Sequence, residues 1–171
     1  MRIIAIAATT LDGKIALDAG HFSDWTSAED KVFMRSLLDE ADVVVVGNNT
    51  YQTAKEPLSK RNCIVLTGSV ATTEQKDEKL LQVNPEGTDI RAVLESYATI
   101  AVLGGAKTYS YFLQHGLLDE LYLTIEPLVF GRGISLFEHA DGAPAHFTLH
   151  STKQLNETGT MLLHYAVVRA E

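Results

Sequence analysis

The chain has 171 residues, 46% of them hydrophobic, and carries 14 Lys plus Arg against 22 Asp plus Glu for a net charge of −8. This size and composition suit a single domain over residues 1–171 with one buried core, and the negative charge would repel nucleic acid and anionic membranes. No apolar run reaches the ~18 residues needed to span a bilayer, and the start MRIIAIAATT lacks a basic region followed by a long apolar one, so a cytoplasmic protein is expected.

The first strong signal in the sequence is IIAIAA (3–8), a continuous apolar run of the kind buried on both faces of a sheet. A glycine-containing loop follows from Thr10 to Asp24, with Gly13 and Gly20 as candidate hinges. Ser27 then reads as a helix N-cap, and Phe33, Met34, Leu37, Leu38 and Ala41 form an apolar stripe behind it. VVVVG (43–47) and CIVLTG (63–68) are further buried strands. Cys63, the only cysteine, excludes an internal disulfide and reads as a small buried residue. The polar stretch 71–79 reads as a surface loop.

A second helical stripe runs through Ile90, Val93, Leu94 and Tyr97, and TIAVLGG (99–105) is a fourth buried strand. Tyr109, Phe112 and Leu113 mark a third helix, which Gly116 would stop. Strands alternating with helices predict crossover connections and a mostly parallel sheet covered on both faces. From Asp119 the pattern changes to ELYLTIEP, HFTLHST and MLLHYAVV, with a hairpin-like turn at 156–159, and these strands are expected to finish the sheet antiparallel. His146 and His150 fall four apart within a strand, where they cannot form a helical ligand pair, so no metal is expected.

Ligands of parallel sheets bind beyond the carboxyl ends of the strands. Gly104 and Gly105 end one strand and open a helix, and Gly47 with Asn48, Asn49 and Thr50 makes a second such turn. Two of them at neighbouring strand ends would suit a pyrophosphate. Alone, a Gly pair at such a turn is as often a steric solution as a phosphate site. Asp30, at the third helical position after Ser27, has two readings: it completes a capping box, or it is a carboxylate at the end of the buried stripe of Phe33 and Met34, needing a ligand with paired N–H donors.

These residues together resemble the dihydrofolate reductase family over nearly the whole sequence. Trp25 with Asp30 five positions on is similar to the family's active-site tryptophan and acid. GNNTY (47–51), PLSKR (57–61) and VLGGAKTY (102–109) resemble its cofactor turns and substrate contacts, and YLT (122–124) its supporting threonine. The resemblance implies an α/β, three-layer fold with a mostly parallel sheet of about eight strands and an antiparallel C-terminal strand. It implies catalytic roles for Asp30, Trp25 and Thr124 and substrate contacts from Ala8, Asp30, Met34, Leu58, Thr124 and Arg61, the last binding a substrate carboxylate. The implied cofactor residues are Ala8, Ile15, Gly47, Asn48, Asn49, Thr50, Thr67, Gly68, Ser69, Leu103, Gly104, Gly105, Ala106, Lys107, Thr108 and Tyr109.

The activity so implied is NADPH-dependent reduction of 7,8-dihydrofolate. Asn48 stands where the family commonly has a basic residue for the 2′-phosphate, which leaves NADH open unless Lys107 or Ser69 takes that role. The segments TTLDGKIALDAG and GLLDELYLTIEPLVFGRG (116–133) are also similar to the riboflavin-biosynthesis reductase domain, for which the substrate is a ribosylamino-pyrimidine and Arg61 would meet a ribose phosphate. A nucleotide-binding module without turnover is the alternative of another class. The expected partner is a small molecule, pterin or pyrimidine, and a homodimer is one expected assembly.

Overall fold

The continuous apolar runs become neighbouring strands because only the interior of a helix-covered sheet buries both of their faces. In the computed structural model, which describes residues 1–138 and 144–169, the protein opens with β1 (Arg2–Thr10), β2 (Lys14–Ala16), a 3-10 turn at Ser23–Trp25 and α1 (Ala28–Glu40). Next come β3 (Val43–Gly47), α2 (Asn48–Thr53), α3 (Lys55–Leu58), β4 (Cys63–Leu66), β5 (Thr73–Gln75) and β6 (Leu80–Val83). The remainder is α4 (Ile90–Leu94), β7 (Thr99–Val102), α5 (Ala106–Gln114), β8 (Glu120–Glu126), β9 (Ile134–Ser135), β10 (His146–Gln154) and β11 (Met161–Val168).

Nine strands form one sheet in the order β10-β11-β8-β1-β7-β3-β4-β6-β5, and β2 pairs with β9 in a separate ribbon. Alternate residues of the central strands feed two cores. Ile3, Ala5, Val43 and Val45 pack with Ile90 and Leu94 of α4 and Phe112 of α5. Ile4, Ile6, Val44 and Val46 pack with Leu37 and Leu38 of α1, Tyr51 and Leu58. Cys63 sits in the second core, and burial pushes its thiol up to about 12, which leaves it an inert filler.

Three expectations are corrected. The stretch 71–79 is not all loop: it contains β5, an edge strand antiparallel to β6 whose three residues are all exposed, so no apolar alternation marks it. β8 does not run antiparallel. It pairs parallel with β1, Ala8 opposite Thr124, because the α5 crossover returns the backbone in the direction of β7. The antiparallel finish is confined to β11 and β10. The loop after β1 carries β2, and of its two candidate hinges Gly13 has a left-handed backbone (φ 72°) while Gly20 does not. Gly116 takes φ 60° just beyond α5, as a helix stop requires.

Candidate active site

The carboxyl ends of β1, β3, β4 and β7 open on one cleft of about 1410 Å³, walled by α1 on one side and by α2 and α3 on another. Asp30 lines it near the first turn of α1 and is 6% exposed. Ser27 caps the helix by accepting from the Asp30 backbone N–H at 3.2 Å, but the reciprocal half of the capping box is missing. The Ser27 N–H goes instead to Glu126 Oε1 at 2.7 Å. The Asp30 carboxyl is left to the hydroxyls of Thr124 and Thr26. Burial raises its pKa above the ordinary carboxylate value, and the hydroxyls and Lys31 oppose that rise while the nearby Glu126 carboxylate adds to it. Thr124 is 2% exposed and lies beneath the cleft wall, reaching the site through Asp30. Ala8, its partner across the β1–β8 ladder, faces the cleft with Met34.

The two glycine turns meet at the neighbouring ends of β3 and β7, where the Gly47 N–H donates to the Gly104 carbonyl at 2.8 Å. A Cβ on Gly47 would lie 2.9 Å from Thr108 Oγ1, and one on Gly105 3.4 Å from Thr50 Oγ1. Gly104 takes φ +94°, and a Cβ there would come within 2.6 Å of the Tyr109 ring. Gly104 thus lies under the site against that ring. Gly105 opens α5 with no capping side-group bond, so backbone N–H groups at that helix start are available to an anion. Asn48, Asn49 and Thr50 at the start of α2, Thr67 and Gly68 after β4, and Leu103, Ala106, Lys107 and Thr108 complete this wall. Ser69 stays off it, bonded to the Thr67 hydroxyl at 3.0 Å. Tyr109 is fully packed, its phenol donating to the Ile6 carbonyl at 2.6 Å and pushed well above its ordinary pKa by burial.

Ile15 and Trp25 close the cleft from the loop that follows β1. Trp25 packs edge-on against Phe130 at 5.1 Å, and its buried Nε1 has no acceptor among the described residues. Leu58 and Arg61 line the opposite rim. The guanidinium of Arg61 is already engaged: Nη1 donates to the Leu38 carbonyl at 2.7 Å and Nη2 to Asp39 Oδ1 at 2.6 Å. Part of its donor fork and its charge are therefore committed within the protein, a pairing the spacing of 22 residues conceals in the sequence.

The family profile described as dihydrofolate reductase matches residues 2–167. The chain belongs to the dihydrofolate reductase family. Among curated relatives it is 27% identical to the uncharacterized protein YwjB of Bacillus subtilis, covering 96% of this chain and 97% of that one. It is also 27% identical to the riboflavin biosynthesis protein RibD of Aquifex aeolicus, covering 75% of this chain and 47% of RibD. Among solved structures it is similar to a pyrimidine reductase-like protein of Corynebacterium diphtheriae, with TM-score 0.77, 18% identity and coverage of 99% of this chain and 92% of that one. It is also similar to dihydrofolate reductase of Enterococcus faecalis complexed with NADP(H), with TM-score 0.67, 19% identity and coverage of 97% and 96%.

Within this family fold, two groups at the site escape a reading of the sequence. Arg35 is exposed, lines the cleft one turn beyond Lys31, and makes no ion pair or hydrogen bond among the described residues. Its position four residues after Lys31, one turn along the same helix face, was the available signal. Glu126, 3% exposed, holds the start of α1. Its two-residue spacing from Thr124 along β8 puts both on one face of the sheet. No helix among the described residues is long and apolar enough to cross a membrane.

Proposed function

We propose that this protein is an oxidoreductase that uses a reduced nicotinamide dinucleotide, NADPH in the first instance, to reduce the C=N bond that 5-amino-6-(5-phosphoribosylamino)uracil presents when its ribose ring is opened. The observation that carries this reading is the Asp30 carboxyl, buried at the cleft floor, freed from capping and raised in pKa. Such a group accepts hydrogen bonds from the N–H edge of a flat heterocycle when ionised, and holds a proton for a reacting nitrogen when not. The preference for a pyrimidine over a pterin is supported by the RibD relative and the pyrimidine reductase-like neighbour. It is also supported by Arg61, whose engagement with Asp39 leaves a poor receptor for a glutamate tail.

The glycine turns fit a dinucleotide: Gly105 opens α5 with no side-chain cap on its N–H groups, and Gly47 and Gly104 let the two turns close against Thr108 and Tyr109 where a Cβ would clash. When bound, the dinucleotide supplies a hydride to the carbon of the C=N bond, whose nitrogen takes up a proton. The protein's share is to hold the heterocycle against Asp30 with Thr124 behind the carboxyl, to pack Met34 and Leu58 against the ring, and to exclude water with the Trp25 loop. The dihydrofolate reading, the leading expectation from the sequence, becomes the second choice, and it retains support because Trp25, Asp30 and Thr124 come together at this one site.

The test is absorbance-followed oxidation of NADPH, and then of NADH, with each substrate in turn. We expect the ribosylamino-pyrimidine to be turned over at a kcat/KM at least about 10-fold above dihydrofolate. Preference for dihydrofolate would establish the second reading. Binding of NADPH without oxidation by either substrate would leave a module without turnover.

A further inference from the structure

In a complete capping box, the acid at the third helical position accepts the N–H of the N-cap residue. Asp30 occupies that position behind Ser27, yet the Ser27 N–H donates to Glu126 Oε1 at 2.7 Å across 99 residues of sequence. Glu126 is itself fixed. Its Oε2 accepts from the Thr160 hydroxyl at 2.7 Å, and Thr160 is wholly buried. The turn after β10 clamps Thr160 in place: the Thr160 N–H donates to Asn156 Oδ1 at 3.1 Å, and Asn156 Nδ2 donates to Thr160 Oγ1 at 3.0 Å. Asn156 also reaches Glu29 Oε2 at 3.3 Å, one residue before Asp30. β8 therefore meets the start of α1 at two points, Thr124 at the Asp30 carboxyl and Glu126 at the Ser27 backbone.

We propose that Glu126 is a positioning residue for the reaction: by taking the Ser27 N–H that Asp30 would otherwise cap, it leaves the Asp30 carboxyl free to face the cleft. This rests on the reading above that Asp30 meets the substrate. The arrangement carries a second consequence. Two carboxyl groups share the buried start of α1, and an ionised Glu126 discourages ionisation of Asp30. The other groups facing Asp30 are Lys31 on its own helix, the Thr124 and Thr26 hydroxyls, and Tyr109 from α5. Of these two charged neighbours, Lys31 favours the ionised acid and Glu126 the neutral one. The residue that frees the acid thus also adds to the rise in its pKa, whose first cause is burial.

The test uses the full-length protein with carbon-13-labelled aspartate, the Asp30 carboxyl resonance being assigned by its loss in Asp30→Asn. Glu126→Gln keeps an acceptor for Ser27 and removes the charge, so the Asp30 midpoint should fall and the pH profile of kcat should move with it, while kcat on its plateau stays within about 3-fold. Glu126→Leu removes the acceptor, so Asp30 should turn to cap Ser27. Its midpoint should fall further, and kcat should drop by about 10-fold or more with the KM for NADPH little changed. Adding Ser27→Pro to Glu126→Leu deletes the competing N–H at a residue whose φ of −63° proline adopts. That double variant should recover most of the lost kcat.

An Asp30 titration unchanged in both single variants would overturn the proposal, as would a kcat in folded Glu126→Leu equal to that of the native protein. If Glu126→Leu does not fold, the Glu126→Gln titration decides alone. The titration needs no substrate, so a native protein inactive on the ribosylamino-pyrimidine would defeat the functional reading and leave the positioning role under test.

Discussion

Asp30→Asn should make the protein more stable and nearly inactive, and the two effects should separate by pH. Asp30 is 6% exposed, has the Glu126 carboxylate near it, and gives up no capping bond on substitution because only its backbone N–H serves the cap. Its pKa is raised on folding by burial above all. A raised carboxyl pKa means that stability is complete below the unfolded-state value of ~3.9 and declines as pH climbs through the folded-state value. The neutral amide escapes that decline. The gain from Asp30→Asn should therefore be near zero in acid and should level off at neutral pH at ~1.4 kcal/mol for each unit by which the folded-state pKa exceeds 3.9. Urea unfolding of both proteins across pH measures the gain, and the carbon-13 titration of Asp30 supplies the elevation against which it is checked. Activity should fall roughly 10²–10⁴-fold, the usual worth of a positioned acid or base. A variant less stable than the native protein at neutral pH, with turnover preserved, would show that Asp30 is an ordinary cap and would refute this assignment.

Gly104→Ala should cost stability and abolish NADPH binding in calorimetry, because the new Cβ meets the Tyr109 ring at 2.6 Å on a backbone with φ +94°; the strain alone is worth ~1–3 kcal/mol. Glu120 accepts two bonds from Arg2 at 2.6 and 2.7 Å and one contact from His164 at 2.6 Å, which hold its pKa down to about 2 from 4.5. A depressed carboxyl contributes stability above its ordinary value and loses it as pH falls towards 2. Glu120→Gln should therefore cost roughly 1–3 kcal/mol at pH ~7 in denaturant titration and flatten the acid side of the stability profile. Arg35→Ala should raise the KM for a phosphorylated substrate about 10-fold or more with kcat little changed, and Arg61→Ala should act mainly through thermal stability, as the loss of its bonds to Leu38 and Asp39 implies.

The legible parts of the fold are those where burial leaves a local trace. VVVVG could only be a strand covered on both sides, and it lies near the middle of the sheet. Asp30 could be picked out because it sits three and four residues before Phe33 and Met34, so helical geometry alone puts it on a cleft-facing side. β5 left no trace, since an edge strand exposed at all three positions is held by backbone bonds that do not depend on residue pattern. The direction of β8 was illegible for another reason: alternation in ELYLTIEP separates the two faces of the strand, but strand direction follows from the crossover before it. Nothing in the sequence singles out Glu126, because only the approach of Ser27 and Thr160 from distant segments makes its burial tolerable.

Sheet register and backbone bonds fix the floor of the site more firmly than its rim. The floor comes from strand ends and the first turn of α1, where Ala8, Gly47, Gly104, Gly105 and Asp30 are held by sheet register and backbone bonds. A side chain at Gly47 or Gly104 would disturb the packing beneath the cleft as well as the cleft itself. The rim comes from residues on one face of α1 and from those after α3, and a single pairing there alters what the cleft can receive. A free guanidinium at Arg61 would suit a carboxylate tail, but its pairing with Asp39 removes much of that attraction, and on the α1 side Arg35 lines the cleft with no side-chain partner among the described residues. The two candidate substrates share a flat ring that Asp30 can hold and differ in the anion that trails from it. On the proposed reading, selection between them turns on which rim arginine is free, and for Arg61 that is decided by Asp39, an exposed α1 residue at the same rim.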